Sequence, residues 1–184
     1  MEGQLKNGAI LTSESGNKYM VVNLLGAGGQ GEVYDVECDG KHYALKWYFK
    51  GSATARQKKL LEEIIAKGAP DSSFLWPMGL IVPSQGKLFG YIMPLRPRNY
   101  KSIVDLMKNR VNPSFYVICR TAFNLTKGYR NLHIAGAKYQ DISFGNLFFN
   151  PDNGDVLICD NDNVSYGNSK PGGVLGTPGF MAPE

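Results

Sequence analysis

The chain has 184 residues, 43% hydrophobic and 20% charged, which suits one or two packed lobes. Its net charge of +4 is mild and diffuse, so composition gives no reason to expect a nucleic-acid partner; the densest basic patch, Arg96, Arg98 and Lys101, is interrupted by Pro97 and reads as solvated surface. There is no signal peptide and no apolar run of membrane-spanning length, and Cys38, Cys119 and Cys159 lack metal or paired spacing; the reading is a soluble, cytoplasmic chain with Cys119 and Cys159 as buried, reduced thiols in apolar runs.

From the N-terminus, Ala9–Leu11 and Tyr19–Leu25 are apolar runs either side of the turn-rich Ser13–Asn17, which predicts a hairpin. Gly26-Ala27-Gly28-Gly29-Gln30-Gly31 follows. Gly-x-Gly-x-x-Gly serves several nucleotide folds, and its context separates them. In a dinucleotide-binding fold the third glycine opens a helix. Here Glu32–Glu37 alternates with period two, turns at Asp39-Gly40 and resumes as His42–Tyr48. That order is strand, glycine turn, strand, hairpin, strand, which suits a flap over phosphates; a P-loop is excluded because no Gly-Lys-Ser/Thr ending follows. In Tyr43-Ala44-Leu45-Lys46 the alternation places Ala44 and Lys46 on one face. Small Ala44 leaves room for a flat base and Lys46 can reach phosphate oxygens; the bland alternative is a snorkelling lysine.

Ala53–Lys67 lacks Pro and Gly, carries Leu60, Leu61, Ile64 and Ile65 on one helical stripe, and stops at Gly68 and Pro70. Phe74–Val82 and Lys87–Pro94 read as strands joined at Pro83–Gly86, and Tyr100–Lys108 as a short helix. A long helix starts at Asn112-Pro113-Ser114 and ends at Gly136, with Phe115, Ile118, Ala122, Leu125, Tyr129 and Leu132 as its core face. His42 lies in a strand with no visible partner, and His133 is assigned no chemistry.

The most informative stretch runs from Tyr139 to Asp162. Leu147–Phe149 and Val156–Ile158 flank Asn150-Pro151-Asp152-Asn153-Gly154, which predicts a tight hairpin. The second strand returns Asp160 beside the start of the first, so Asp141, Asn146 and Asp160 gather in one small region. Two carboxylates and an amide oxygen are hard ligands, suited to Mg²⁺ carrying phosphates. A polar surface hairpin with incidental acids is the alternative.

Taken in order, these features resemble the protein kinases: the glycine loop; Tyr43-Ala44-Leu45-Lys46 for Val-Ala-Ile-Lys; Asp141…Asn146 for the catalytic loop His-Arg-Asp-x-x-x-x-Asn; Asp160 for the first residue of Asp-Phe-Gly; and Gly176-Thr177…Ala182-Pro183-Glu184 for the end of the activation segment. The likeness covers about Leu25–Glu184 and is nearest to divergent, bacterial-type members of the eukaryotic-like Ser/Thr kinases. It implies an α+β, bilobal kinase-like fold. Residues 1–95 would form an N-lobe with an antiparallel sheet, the glycine loop and one helix, and residues 96–184 an incomplete, mainly helical C-lobe.

The resemblance also implies roles. The backbones of Gly26, Gly28 and Gly31 would approach the ATP phosphates, held by Lys46. Glu62 would pair with Lys46, since Ile65 and Ala66 would share its inward face; Glu63 is the alternative. Leu25, Val33, Ala44 and Phe148 would sandwich the adenine, with Met93 beside it and the backbone N–H of Arg96 as its donor. Asn146 and Asp160 would hold Mg²⁺. Asp141 would orient, and take the proton from, a Ser or Thr hydroxyl of a protein substrate, a choice of acceptor that Thr177 favours.

Several positions depart from the family pattern. Gln140 replaces the arginine that clamps a phosphorylated activation loop, and a neutral amide cannot make that charge-assisted pair. Modification of Ser165, Tyr166 or Ser169 is therefore expected to couple weakly to activity. Ser143 stands where a phosphate-contacting lysine is usual. Tyr139 for His is a mild change that keeps an aromatic ring. Asn161 and Asp162 replace Phe and Gly, and a buried Asn needs partners, so a segment without the usual in/out switch is expected. The chain stops at Ala-Pro-Glu, which reads as a truncated kinase that binds nucleotide but turns over weakly, with exposed apolar surface on the helix Ser114–Ala135 favouring self-association. Two other readings stay open: a pseudokinase, meaning a nucleotide-binding interaction module, and a kinase of small molecules.

Overall fold

The computed structural model describes residues 3–83, 88–167, 176–177 and 179–181. The chain divides into two compact units, Met1–Gly68 with Trp76–Leu95, and Ala69–Leu75 with Arg96–Glu184.

The first unit contains β1 (Ile10–Thr12), β2 (Lys18–Ala27), β3 (Gly31–Cys38), β4 (Lys41–Tyr48), α1 (Ala55–Lys67), β5 (Gly79–Ile81) and β6 (Gly90–Pro94). Its strands form one antiparallel sheet in the order β1-β2-β3-β4-β6-β5. Asp39 and Gly40 both have positive φ (51° and 73°), as a two-residue hairpin turn requires. Cys38 thereby pairs with Lys41, and the register runs unbroken to Gly31 opposite Tyr48. Alternation divides the side chains between two packed faces. One holds Tyr34, Val36, Leu45, Trp47 and Ile92; the other holds Ala44, Tyr48, Tyr91 and Met93 with Leu61 of α1. β5 is shorter than the strand expected at Phe74–Val82. Phe74 bridges Ile158, and Leu75 N donates to Ile158 O at 2.9 Å, so that stretch belongs to the second unit. The turn expected at Pro83–Gly86 lies largely outside the described residues.

Thr54 caps α1 by accepting from Gln57 N at 3.1 Å, and Gly68, with φ 73°, ends it. Leu61 and Ile64 are its buried residues, while Leu60 and Ile65 are only half-buried. The inward face is therefore narrower than the expected stripe. One turn before Leu61 it includes Gln57, whose Nε2 donates to Tyr48 Oη at 3.2 Å.

The second unit contains β7 (Lys101–Ser102), α2 (Ile103–Met107), α3 (Phe115–Ile134), β8 (Ala137–Lys138), β9 (Leu147–Phe149), β10 (Val156–Ile158) and β11 (Ser165–Tyr166). β9 pairs with β10 and β7, and β8 with β11. The helix expected at Tyr100–Lys108 shortens because Ser102 caps it in a capping box with Asp105. Ser114 caps α3, accepting from Val117 N at 3.3 Å.

The core face of α3 is not the expected one. Val117, Thr121, Gly128 and Leu132 are buried, whereas Phe115 is 79% exposed and Ala122 is also exposed. Leu132 alone of the expected six is buried. The reason is that α3 packs through small residues: a Cβ at Gly128 would already lie 3.4 Å from Ile158 Cδ1. Cys119, two residues round the helix from Val117, is exposed and Cys159 is half-buried, so neither is the buried thiol expected. Among the described residues no helix is long and apolar enough to cross a membrane.

Candidate active site

In the first unit, strand register positions the expected base- and phosphate-facing residues. Val33 pairs with Lys46 across β3 and β4, and Ala44 pairs with Met93 across β4 and β6. Ala44, Lys46 and Met93 are buried, and Val33 packs against the cluster that contains Ala44 and Met93. Leu25 is half exposed, beside a register irregularity of β2 between Leu24 and Gly26.

The three loop glycines do different things. Gly28 N donates to Gly31 O at 2.8 Å and closes the turn. A Cβ on Gly26 or Gly28 would meet nothing within 4 Å, so these backbones are open to an approaching ligand. A Cβ on Gly31 would overlap the carbonyl of Trp47; that glycine lets β4 run close to the loop.

Lys46 Nζ donates to Gln30 Oε1 at 3.1 Å and lies 5.6 Å from the centre of the Tyr48 ring. A buried ammonium must be paired, and this glycine-loop amide is one partner that sequence reasoning missed. The expected Lys46–Glu62 pair is replaced. The Glu62 side chain is 50% exposed and its Oε1 sits 3.6 Å from Lys58 Nζ, while Glu63 is exposed too. The cause is the helix phase, since a face centred on Leu61 and Ile64 turns both glutamates outward.

In the second unit, Asp141 Oδ1 accepts from Thr177 Oγ1 at 2.7 Å. Asn146 Nδ2 donates to Asp141 O at 2.9 Å and approaches Asp141 Oδ2 at 3.4 Å. The donor edge of Asn146 is thus spent on Asp141, leaving Oδ1 as the atom for a cation. Asn146 closes a 3-10 turn, Phe144–Asn146, and its carbonyl accepts from Cys159 N at 3.0 Å. Asp160 is the next residue, in the left-handed region at φ 59°, ψ 42°. Asp141, Asn146 and Asp160 are therefore brought together. Among the described residues no three or more His, Cys, Asp or Glu form a metal cage. The donor set still fits magnesium, which keeps several waters and phosphate oxygens and takes one or two carboxylates from a protein.

The backbone around Asp160 is held by side chains. Tyr139 Oη donates to Cys159 O at 2.5 Å, and its ring meets Tyr129 edge-on at 5.6 Å. Burial, more than any neighbouring charge, keeps the Tyr139 phenol far above its ordinary pKa, so it stays a neutral donor. Asn161 is fully buried, and its Nδ2 donates to Leu75 O and Ile158 O, both at 2.9 Å. Gln140 Nε2 donates to Ser165 Oγ at 2.9 Å. Ser165 pairs with Lys138 and Tyr166 with Ala137, and both are buried; Ser169 lies outside the described residues. Arg96 presents its guanidinium 4.2 Å over the Phe148 ring while Nη1 donates to Tyr100 O at 2.6 Å, so one face of that ring is already covered.

The glycine-turn sheet with a buried lysine in the first unit, and the Asp–Asn–Asp hairpin and long helix in the second, are the parts expected of a protein kinase-like fold. No protein-family model and no curated protein matches the chain. Solved structures do match: that of vaccinia-related kinase 3 is similar over 90% of this chain and 53% of its own, at 19% identity and a TM-score of 0.63. The kinase domain of Mycobacterium tuberculosis PknI, crystallised as a double mutant, is similar over 88% of this chain and 64% of its own, at 20% identity and a TM-score of 0.65. The chain thus has the protein-kinase fold and spans less than two thirds of either structure's length.

Proposed function

We propose that this domain binds ATP with Mg²⁺ and transfers the terminal phosphoryl group to a Ser or Thr hydroxyl of a protein. The observation that carries the reading is the cluster around Asp141, in which Thr177 fixes one carboxylate oxygen and Asn146 spends its Nδ2 on Asp141, which leaves Oδ1 for a cation. In this reading the open backbones at Gly26 and Gly28 let the phosphates approach the glycine turn closely, and Lys46 exchanges Gln30 for a phosphate oxygen. Ala44, Val33, Leu25, Met93 and Phe148 line the base, and Arg96 N–H is its donor. Asn146 Oδ1 and the Asp160 carboxylate hold the cation, which when bound neutralises charge developing on the transferred group. Asp141 orients the acceptor hydroxyl and takes its proton as the oxygen–phosphorus bond forms. Thr177, bonded to Asp141, stands where the Ser/Thr kinases that the sequence resembles carry a threonine, and that resemblance favours a Ser or Thr acceptor.

A second reading, a nucleotide-binding module without phosphotransfer, is favoured by Glu62 holding Lys58 in place of Lys46 and by Ser143 at a position where the family carries a cation. Transfer of ³²P from labelled ATP to a mixed protein substrate, in wild type and Asp141→Asn, separates the two. Label transfer by wild type that Asp141→Asn loses supports the first. Equal background in both, with Mg·ATP still binding, supports the second, and no binding of Mg·ATP sinks both. Self-association through exposed Phe115, Tyr116 and Phe123 of α3 is a further part of this reading, read by sedimentation.

A further inference from the structure

Asn161 is an unusual occupant of a fully buried position. Its Oδ1 is a buried acceptor with no hydrogen-bond partner, normally a costly arrangement. Both amide N–H groups go to main-chain carbonyls, Leu75 O and Ile158 O. Those carbonyls belong to one ladder: Ile158 N donates to Ser73 O at 2.7 Å and Leu75 N to Ile158 O at 2.9 Å. Asn161 thus ties the turn after Asp160 to the strand before it and, in the same contact, to residue 75. Of the two residues between, Cys159 is held by Asn146 O and by Tyr139 Oη. Asp160 itself adopts the left-handed conformation, sparsely populated for a residue with a Cβ and stable only where the surroundings impose it. On its C-terminal side the Asn161 amide ties the chain back to the strand that precedes it.

We propose that Asn161 is a positioning residue for the metal-binding carboxylate. Its paired N–H groups fix Asp160 in a single pose, so the segment is permanently set and does not switch. A leucine at 161 would fill a similar volume and supply no donor. The proposal rests on the reading of Asp160 as a magnesium ligand.

The test uses the whole 184-residue chain, with Mn²⁺ as the probe and ADP as the nucleotide, free Mn²⁺ being followed by electron paramagnetic resonance. Asn161→Leu is expected to weaken Mn²⁺ binding in the presence of ADP at least tenfold, while ADP binding without metal changes less than twofold. In the wild type, the amides of Cys159 and Val164 are expected to exchange with solvent as slowly as those of β4, with or without Mn·ADP. A folded Asn161→Leu protein that binds Mn²⁺ within twofold of wild type overturns the proposal. Should that variant not fold, wild-type exchange decides. Fast exchange at residues 159–164 that slows only with Mn·ADP overturns the proposal, and slow exchange in both states supports it. Wild type that binds no Mn·ADP at all overturns the magnesium reading and this proposal with it; wild type that binds, beside an unaffected variant, overturns this proposal alone.

Discussion

In β4 every residue from Ala44 to Tyr48 is buried, and Lys46 is paired on one side with Val33 and on the other with Tyr91. In the stretch from Tyr139 to Asn163 the strands are three residues long, and the chemistry-bearing Asp160 lies beyond the end of one of them. Lys46 is placed by two flanking ladders that no single side chain controls. Asp160 is placed by individual hydrogen bonds from Tyr139 and Asn161 and by the carbonyl of Asn146. The first kind of placement is sensitive to changes in volume. The second is sensitive to the loss of single polar atoms.

Asp141→Asn tests the second region most severely. It is isosteric and leaves Thr177 and Asn146 in place, so label transfer is expected to fall by about 10²–10⁴-fold while the melting temperature stays within experimental error. A loss of activity matched by a loss of stability would blur the contrast.

Gly31→Ala is the corresponding assault on the first region. Its Cβ would overlap the carbonyl of Trp47, and such overpacking costs about 1–3 kcal/mol in urea unfolding. Gly28→Ala, with open space around it, is expected to change stability by less than about 0.5 kcal/mol yet weaken Mg·ATP binding. Equal stability of the two variants would contradict the distinction.

Tyr139→Phe removes one hydroxyl and keeps the ring against Tyr129. Loss of the bond to Cys159 O is expected to cost about 1 kcal/mol, read by chemical denaturation. Glu62→Ala deletes only an exposed i,i+4 pair with Lys58, worth about 0.3–0.5 kcal/mol. A hundredfold loss of nucleotide affinity in that variant would show that Glu62 does meet Lys46 when ligand is bound.

The smallest effect concerns His42, whose Nδ1 lies 2.7 Å from Asp35 Oδ1. The hydrogen bond and charge of Asp35 raise its pKa, so the folded state favours the protonated ring. That contribution is fully present below the ordinary histidine value of about 6.5 and is lost as pH rises through the raised folded value. The melting-temperature difference between wild type and His42→Gln should therefore shrink between acid and alkaline pH. A constant difference would rule the pair out.

Much of this was legible in the sequence because turns carry their own chemistry. Asp39-Gly40 marks the β3–β4 hairpin, and Asn150–Gly154 marks the β9–β10 hairpin that gathers the acids. What misled was helix phase. α3 has apolar side chains all round, and its buried face runs through Thr121 and Gly128, which a search for large apolar residues passes over. α1 failed the same way on a smaller scale, its inward polar residue being Gln57 where Glu62 was expected. Asn161 was recognisably out of place, but its acceptor at Leu75 lies 86 residues away, and no local pattern encodes such a partner.

The pairing of β11 with β8, reinforced by Gln140, has a consequence for signalling. Enzymes that add or remove phosphate seat their targets as extended, accessible chain. Ser165 and Tyr166 have their main chain engaged in a ladder and their side chains turned from solvent. A modifying enzyme would reach either hydroxyl only once those two strands part.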